Sequence, residues 1–244
     1  MATNEPVISI DGVGVEFSRT RKNMSLRELI FKRSSRTMGD SFWALRNISF
    51  DVRQGEAIGV VGRNGQGKST LLKIVAGVLL PDEGQVRVNQ GVAPLIEITG
   101  GFAPDLTGRE NIYLAAGLHG MTREQTDDRF EEIVDFSELE DFLDTPFRHY
   151  SSGMKVRLAF AVISRLEDPI LLVDEVLAVG DKAFRKKCHD RIEELLAAGR
   201  TLFLVSHSDG DLKKFCHRGL YLRGGQMQAD GPINEILEQY TKEG

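Results

Sequence analysis

Apolar and polar positions alternate over Val7-Ile8-Ser9-Ile10 and again over Val13-Gly14-Val15-Glu16-Phe17, the period of half-buried strands. Ala44 to Val52 reads as a further strand and Gln54-Gly55 as a turn. The run Ala57-Ile58-Gly59-Val60-Val61 is apolar throughout, as in a strand covered on both faces. A helical pattern, Leu71-Leu72-Lys73-Ile74-Val75-Ala76, follows it. Pro81-Asp82-Glu83-Gly84 marks a turn, and Gln85 to Val88 and Val92 to Ile96 read as short strands. From about Gly108 to Glu167 the pattern is helical and strongly charged, which predicts a separate helical lobe ending in a helix over Lys155 to Arg165. Ile170-Leu171-Leu172-Val173-Asp174 is a buried parallel strand ending in acid. A helix over Lys182 to Ala197 leads to another buried strand, Thr201 to Ser206. Short strands around Leu220 to Leu222 and Gln226 to Ala229 precede a last helix, Ile233 to Tyr240. Apolar strands alternating with helices predict an α/β fold with a parallel central sheet.

Residues 18–41 break this rhythm. They carry Arg19, Arg21, Lys22, Arg27, Lys32, Arg33 and Arg36 and one short helical segment, Ser25 to Phe31. The chain as a whole is acidic, with net charge −5, which argues against nucleic acid as its main partner. With 41% hydrophobic and 27% charged residues it has an ordinary globular composition. No apolar run approaches the length of a membrane span, and the N-terminal residues carry no pattern of a secretory signal. Two cysteines, Cys188 and Cys216, are too few for a disulfide framework and read as reduced cytosolic thiols.

The chemistry concentrates at the strand ends. Gly62-Arg63-Asn64-Gly65-Gln66-Gly67-Lys68-Ser69-Thr70 fits the pattern G-x-x-x-x-G-K-[ST] and lies in the required order of strand, loop and helix. Gly62, Gly65 and Gly67 let backbone N–H groups face phosphate oxygens, and the helix adds its positive end. Lys68 can reach the β- and γ-phosphates, and Ser69 can offer a hydroxyl to Mg²⁺. Asp174, at the end of its strand, suits a place beside the metal, and Glu175 suits the general base. His207 leaves the same edge after Thr201 to Ser206 and can orient the attacking water or meet the γ-phosphate. Ser152 and Gly153, within Tyr150-Ser151-Ser152-Gly153-Met154, offer a hydroxyl and N–H groups at a helix N-terminus, a second anion site.

Taken together, residues 62–70, 150–154, 170–175, Ala178-Val179-Gly180-Asp181 and Ser206-His207 resemble the ATP-binding subunits of ABC transporters, across about residues 7–241. The resemblance implies a P-loop NTPase of the ABC type: a mostly parallel sheet, an antiparallel β subdomain and a helical subdomain. It implies one domain over 1–244, with an ATP-binding core at 7–98 and 168–230, the helical lobe at about 99–166 and a C-terminal helix at 231–244. The family's phosphate loop falls on Gly62, Asn64, Gly65, Gly67, Lys68, Ser69 and Thr70, its signature on Ser152 and Gly153, and its D-loop on residues 178–181 with Asp181. In that family two subunits bind ATP head to tail, so the signature of one copy would complete the site held by Lys68 of the other. A homodimer, ATP and Mg²⁺ are thereby implied, with Ser69, Asp174 and Glu97 as metal-side residues.

Gly100-Gly101-Phe102-Ala103-Pro104-Asp105-Leu106-Thr107-Gly108-Arg109-Glu110-Asn111-Ile112, the stretch Tyr150 to Ala161 and Phe42-Trp43-Ala44-Leu45 resemble the branch that exports lipid-linked polysaccharides such as O-antigen, teichoic acid, capsule or galactan. That branch implies a polytopic membrane permease as partner, a lipid-linked glycan as cargo and residence on the cytoplasmic face of the inner or plasma membrane. The alternative is an ABC ATPase serving another lipid or drug. The sequence departs from the superfamily in carrying Glu97 where most members have Gln, and Ser-Ser-Gly-Met in the signature. The aromatic that stacks on adenine is Phe17 or Trp43, with Phe17 favoured. The basic segment 18–41 reads either as a solvated loop or as a short amphipathic helix facing lipid phosphates near the permease. With no room after the last helix for a glycan-binding sandwich, recognition of a glycan cap is expected to lie elsewhere.

Overall fold

The structure is a computed structural model that describes residues 5–18, 41–96, 99–174 and 180–243. The basic segment, Glu97 and Glu175 lie outside the described residues. Nine strands form two sheets among those residues. The smaller is antiparallel and joins β1 (Ile8–Ser18), β2 (Ser41–Val52) and β4 (Glu83–Val88) in the order β2-β1-β4. The two alternating segments expected at the start of the chain merge into this one strand β1, bent by register shifts after Ile10 and Val13. The larger sheet runs β5 (Val92–Leu95), β6 (Ile170–Val173), β7 (Thr201–Val205), β3 (Ala57–Val61), β8 (Arg218–Arg223) and β9 (Gln226–Pro232). Its first five strands are parallel, and β9 returns antiparallel to β8.

The period-two rule explains why the central strands are apolar without alternation. Ile58, Val60, Ile170, Leu172, Phe203 and Val205 face a core shared with the small sheet and helix α1 (Lys68–Val75). Ala57, Val61, Leu171, Val173, Leu202 and Leu204 face the opposite core, shared with the remaining helices. Each strand therefore supplies side chains to two cores at once, and the one polar side chain among the three, Thr201, is buried and accepts from the Gly55 N–H at 2.9 Å.

Helices α2 (Gly108–Leu118), α3 (Arg123–Ser137) and α4 (Ser152–Ile163) pack together in the region read as a helical lobe. Thr107 with Glu110 and Thr122 with Gln125 form capping boxes that fix the starts of α2 and α3. Helix α4 begins at Ser152, three residues before the expected start. Ser151 caps it by accepting from the Met154 N–H at 3.2 Å. Helix α5 (Lys182–Ala197) agrees with its expected bounds. Helix α6 (Asp209–Phe215) was not foreseen, and α7 (Ile233–Glu243) buries Ile233, Ile236 and Leu237 beside β8.

Candidate nucleotide-binding site

Sheet register determines where the chemistry gathers. Val173 stands opposite Leu204, Leu204 opposite Gly59, and Val205 opposite Val60. Strands β6, β7 and β3 thus end nearly level. Asp174, Ser206-His207 and the loop from Gly62 onward leave the sheet at one carboxyl edge, the place where open parallel sheets hold ligands.

The loop after β3 folds back over its own lysine. Lys68 is 6% exposed, and its Nζ donates to the carbonyl oxygens of Gly62 at 2.6 Å and Arg63 at 3.0 Å. Burying an ammonium requires such acceptors. The same carbonyls hold the charge at the mouth of helix α1, which has no side-chain cap. Its first N–H groups therefore remain available to an anion, and the helix dipole reinforces them. Gly67 makes this possible. It sits at φ +97°, and a Cβ there would lie 2.5 Å from the Ala44 carbonyl oxygen and 2.6 Å from Leu45 Cδ2. The β8–β9 turn joins the loop to β2: the Gly224 N–H donates to Gln66 Oε1 of the loop, and the Arg46 N–H of β2 donates to the Gly225 carbonyl at 2.8 Å.

A cavity of about 440 Å³ opens above the loop, lined by Asn64, Gly65, Gly67, Lys68, Ser69, Thr70, Ala44, Phe17 and Phe42. Phe17 lines it. Its companion is Phe42, which the sequence reading did not single out, and not Trp43. Phe17 stands directly opposite Phe42 across the antiparallel pair, so both rings share one face, with centroids 5.9 Å apart. Trp43 stands opposite Glu16 on the other face, against Gly14 and under the Arg46 guanidinium. Phe17 and Phe42 are 38% and 42% exposed, flat apolar faces open to a planar ligand.

Ser69 is exposed in the cavity and Asp174 is half-buried at the strand end. One hydroxyl and one carboxylate fit Mg²⁺, which takes few protein ligands and draws the rest from phosphates and water. Among the described residues no three His, Cys, Asp or Glu side chains cluster as a metal cage. His207 is exposed one residue before Ser208, the N-cap of α6.

Ser152 and Gly153 are not among the residues lining this cavity. They form the first turn of α4, exposed and half-buried respectively, and Ser151, missed as a cap, is exposed beside them. Asp181 caps α5 by accepting from the Phe184 N–H at 2.9 Å. That bond and the Arg157 guanidinium hold its carboxyl below the usual range. Arg157, one turn into α4, also donates to Glu138 at 2.7 Å and lies over the Phe184 ring. It ties the start of α4 to the residue that opens α5, and the sequence reading passed over it.

Comparison with known proteins agrees with this geometry. The family model for ABC transporters matches residues 45–178. An O-antigen export system ATP-binding protein, RfbB, of Klebsiella pneumoniae is 43% identical over 242 residues, covering 98% of both chains. A teichoic acids export ATP-binding protein, TagH, of Bacillus anthracis is 43% identical over 217 residues, which make up 89% of this chain and 39% of that one. Among solved structures, the post-hydrolysis dimer of the ATP-binding cassette MJ0796 bound to ADP and Pi superposes with a TM-score of 0.74 at 22% identity, over 93% of this chain and 98% of that one. With the family model spanning more than half of its length and a relative this similar from end to end, the chain belongs to the ABC transporter family.

Proposed function

We propose that the chain is the ATP-hydrolysing subunit of an exporter of lipid-linked polysaccharide of the O-antigen kind. The observation that carries the cargo is the end-to-end similarity to O-antigen export ATP-binding proteins. The observation that carries the chemistry is the single sheet edge that gathers the phosphate loop, Asp174 and His207.

In this reading Phe17 and Phe42 hold the adenine by its faces, and Gly65, Gly67 and the first N–H groups of α1 hold the phosphates. Lys68 turns from the loop carbonyls to the β- and γ-phosphates. Ser69 and Asp174 would hold Mg²⁺, with Glu97 as a further metal-side carboxylate, and the ion would supply positive charge to the phosphoryl oxygens. Glu175 takes a proton from the attacking water while His207 orients it or meets the γ-phosphate. Ser152 and Gly153, with Asp181 nearby, stand outside the cavity in one copy. They meet the γ-phosphate of a second copy, so the working form is a homodimer with ATP between the subunits. No helix among the described residues is long and apolar enough to cross a membrane. In this reading the subunit works from the cytoplasmic face against a separate polytopic permease, as the export-system similarity supports.

The test is Glu175→Gln. That variant is expected to bind MgATP and to accumulate as a dimer in size-exclusion chromatography while turnover disappears. Hydrolysis at the wild-type rate would remove Glu175 from the role of base. Co-purification of the wild-type chain with a polytopic membrane protein tests the partner.

A further inference from the structure

The loop after β5 and the segment leading into α4 lie far apart in sequence, yet hydrogen bonds join them into one piece. Asn111, in the first turn of α2, is fully buried. Its Oδ1 accepts from the Ala103 N–H at 2.7 Å. Its Nδ2 donates to the carbonyls of Ala103, Leu106 and Thr107 at 3.0, 3.1 and 2.9 Å. One side chain thus holds both ends of the turn 103–107. The turn is in turn fastened to residues 143–148. Phe147 N–H donates to the Leu106 carbonyl and Arg148 N–H to the Pro104 carbonyl, both at 2.8 Å. Arg109 N–H donates to the Leu143 carbonyl at 2.9 Å, and Thr107 bridges Pro146. Phe102 stacks on Phe147 with centroids 5.0 Å apart, and Arg148 pairs with Asp105 at 2.5 Å on the surface.

The fastened segment runs straight into the anion-binding turn. Tyr150 packs on Phe147 and donates its hydroxyl to the Phe142 carbonyl at 2.7 Å. Ser151, the cap of α4, comes next, and Lys155 on α4 lies over the Phe147 ring. A displacement of the loop 102–107 therefore cannot be absorbed locally. Doing so would break the bonds of a fully buried amide, whose two Nδ2 hydrogens are shared among three carbonyls, and leave its polar atoms unpaired away from water.

We infer that Asn111 is a positioning residue for ATP hydrolysis: it fixes the turn 103–107 against the first turn of α2, in the shape that backbone bonds then fasten to residues 143–148, so that the loop and the N-terminus of α4 move as one rigid strut. This inference rests on the proposed function, in which that N-terminus completes the site of a second copy.

Two variants of the full chain test it. Asn111→Ala is expected to lower kcat for ATP by about tenfold or more, because the start of α4 loses its placement. KM and the affinity for a fluorescent ATP analogue should stay unchanged, since the phosphate loop and the two phenylalanines belong to the sheets. A parallel loss of nucleotide affinity, or a wild-type kcat, overturns the inference. The second variant keeps the test open should the first not fold. In Asp105→Cys/Arg148→Cys a short bismaleimide bridges the loop to the segment. The native Cys188 and Cys216 do not compete, because burial pushes both thiols up to about 12. The bridged protein should hydrolyse ATP at the rate of the unbridged one. Loss of activity on bridging would mean that the two parts slide during turnover, and the strut fails. If the wild-type chain hydrolyses no ATP, the proposed function fails instead.

Discussion

Replacing Gly67 and Gly65 by alanine separates two reasons for glycine in one loop. Both residues have positive φ, +97° and +76°, so alanine at either costs about 1–2 kcal/mol of backbone strain. Both changes also restrict the unfolded chain equally, and that contribution cancels between them. They differ in space. The Cβ at position 65 meets nothing within 4 Å, whereas at position 67 it meets the Ala44 carbonyl oxygen at 2.5 Å and Leu45 Cδ2 at 2.6 Å. Neither neighbour can swing away, since Ala44 belongs to β2 and Leu45 is fully buried. Overpacking of this kind adds about 1–3 kcal/mol. Taking about 2 kcal/mol, Gly67→Ala should melt about 4–8 °C below Gly65→Ala for a chain of this size. Circular dichroism melts without nucleotide measure the difference. Melts with MgATP then show whether binding survives, since a ligand that binds only the folded state raises the midpoint. The strain at position 67 is relieved by moving the loop off β2, so Gly67→Ala should lose most of its ATP-dependent rise. Equal midpoints for the two variants would refute the claim that contact with β2, and not backbone conformation alone, requires glycine there.

Phe42→Ala and Phe17→Ala should each raise KM for ATP about tenfold, the worth of roughly one stacked ring, while Trp43→Ala leaves KM unchanged. Steady-state kinetics decide it, and a KM effect confined to Trp43 would reverse the assignment. Arg157→Ala frees Asp181 and Glu138 from their shared guanidinium and should lower kcat several-fold at constant KM. Arg157→Lys should recover only part of it, because an ammonium cannot reproduce the guanidinium fork that serves both carboxylates. Full recovery by lysine would show that charge alone is needed.

The phosphate loop was legible because its requirements are local: a strand, a run of glycines, a lysine and a helix within a few residues. The shared sheet edge was legible for a related reason. A strand buried on both faces reads as an unbroken apolar run, and its end marks where the chain meets solvent, so Asp174 and His207 could be placed without coordinates. Phe42 was not legible, because cross-strand register decides which aromatic faces the cavity. Val15 pairs with Leu45 and Glu16 with Trp43, so Ala44 is an extra residue that shifts the register. Without that shift Trp43 would stand opposite Phe17, so counting along an unbroken register picks the wrong ring. The early start of α4 was hidden by composition. Ser152 and Gly153 are poor helix formers, and only the bond from Met154 to Ser151 pulls them into the first turn. Helix α6 did carry a signal, since Ser208 caps it through the Asp211 N–H, a Ser-x-x-Asp spacing that precedes Leu212 and Phe215. The Asn111 strut belongs to a different class. The Asn111 side chain bonds only backbone groups, and the turn it holds is fastened by backbone bonds to a segment over thirty residues away. An Asn within Glu110-Asn111-Ile112 looks like an ordinary polar residue on a helix until its burial is known. Buried side chains that bind backbone leave no pattern in sequence, because any residue can supply a carbonyl. Devices that join one part of a site to another are therefore the part of this molecule that coordinates reveal and sequence does not.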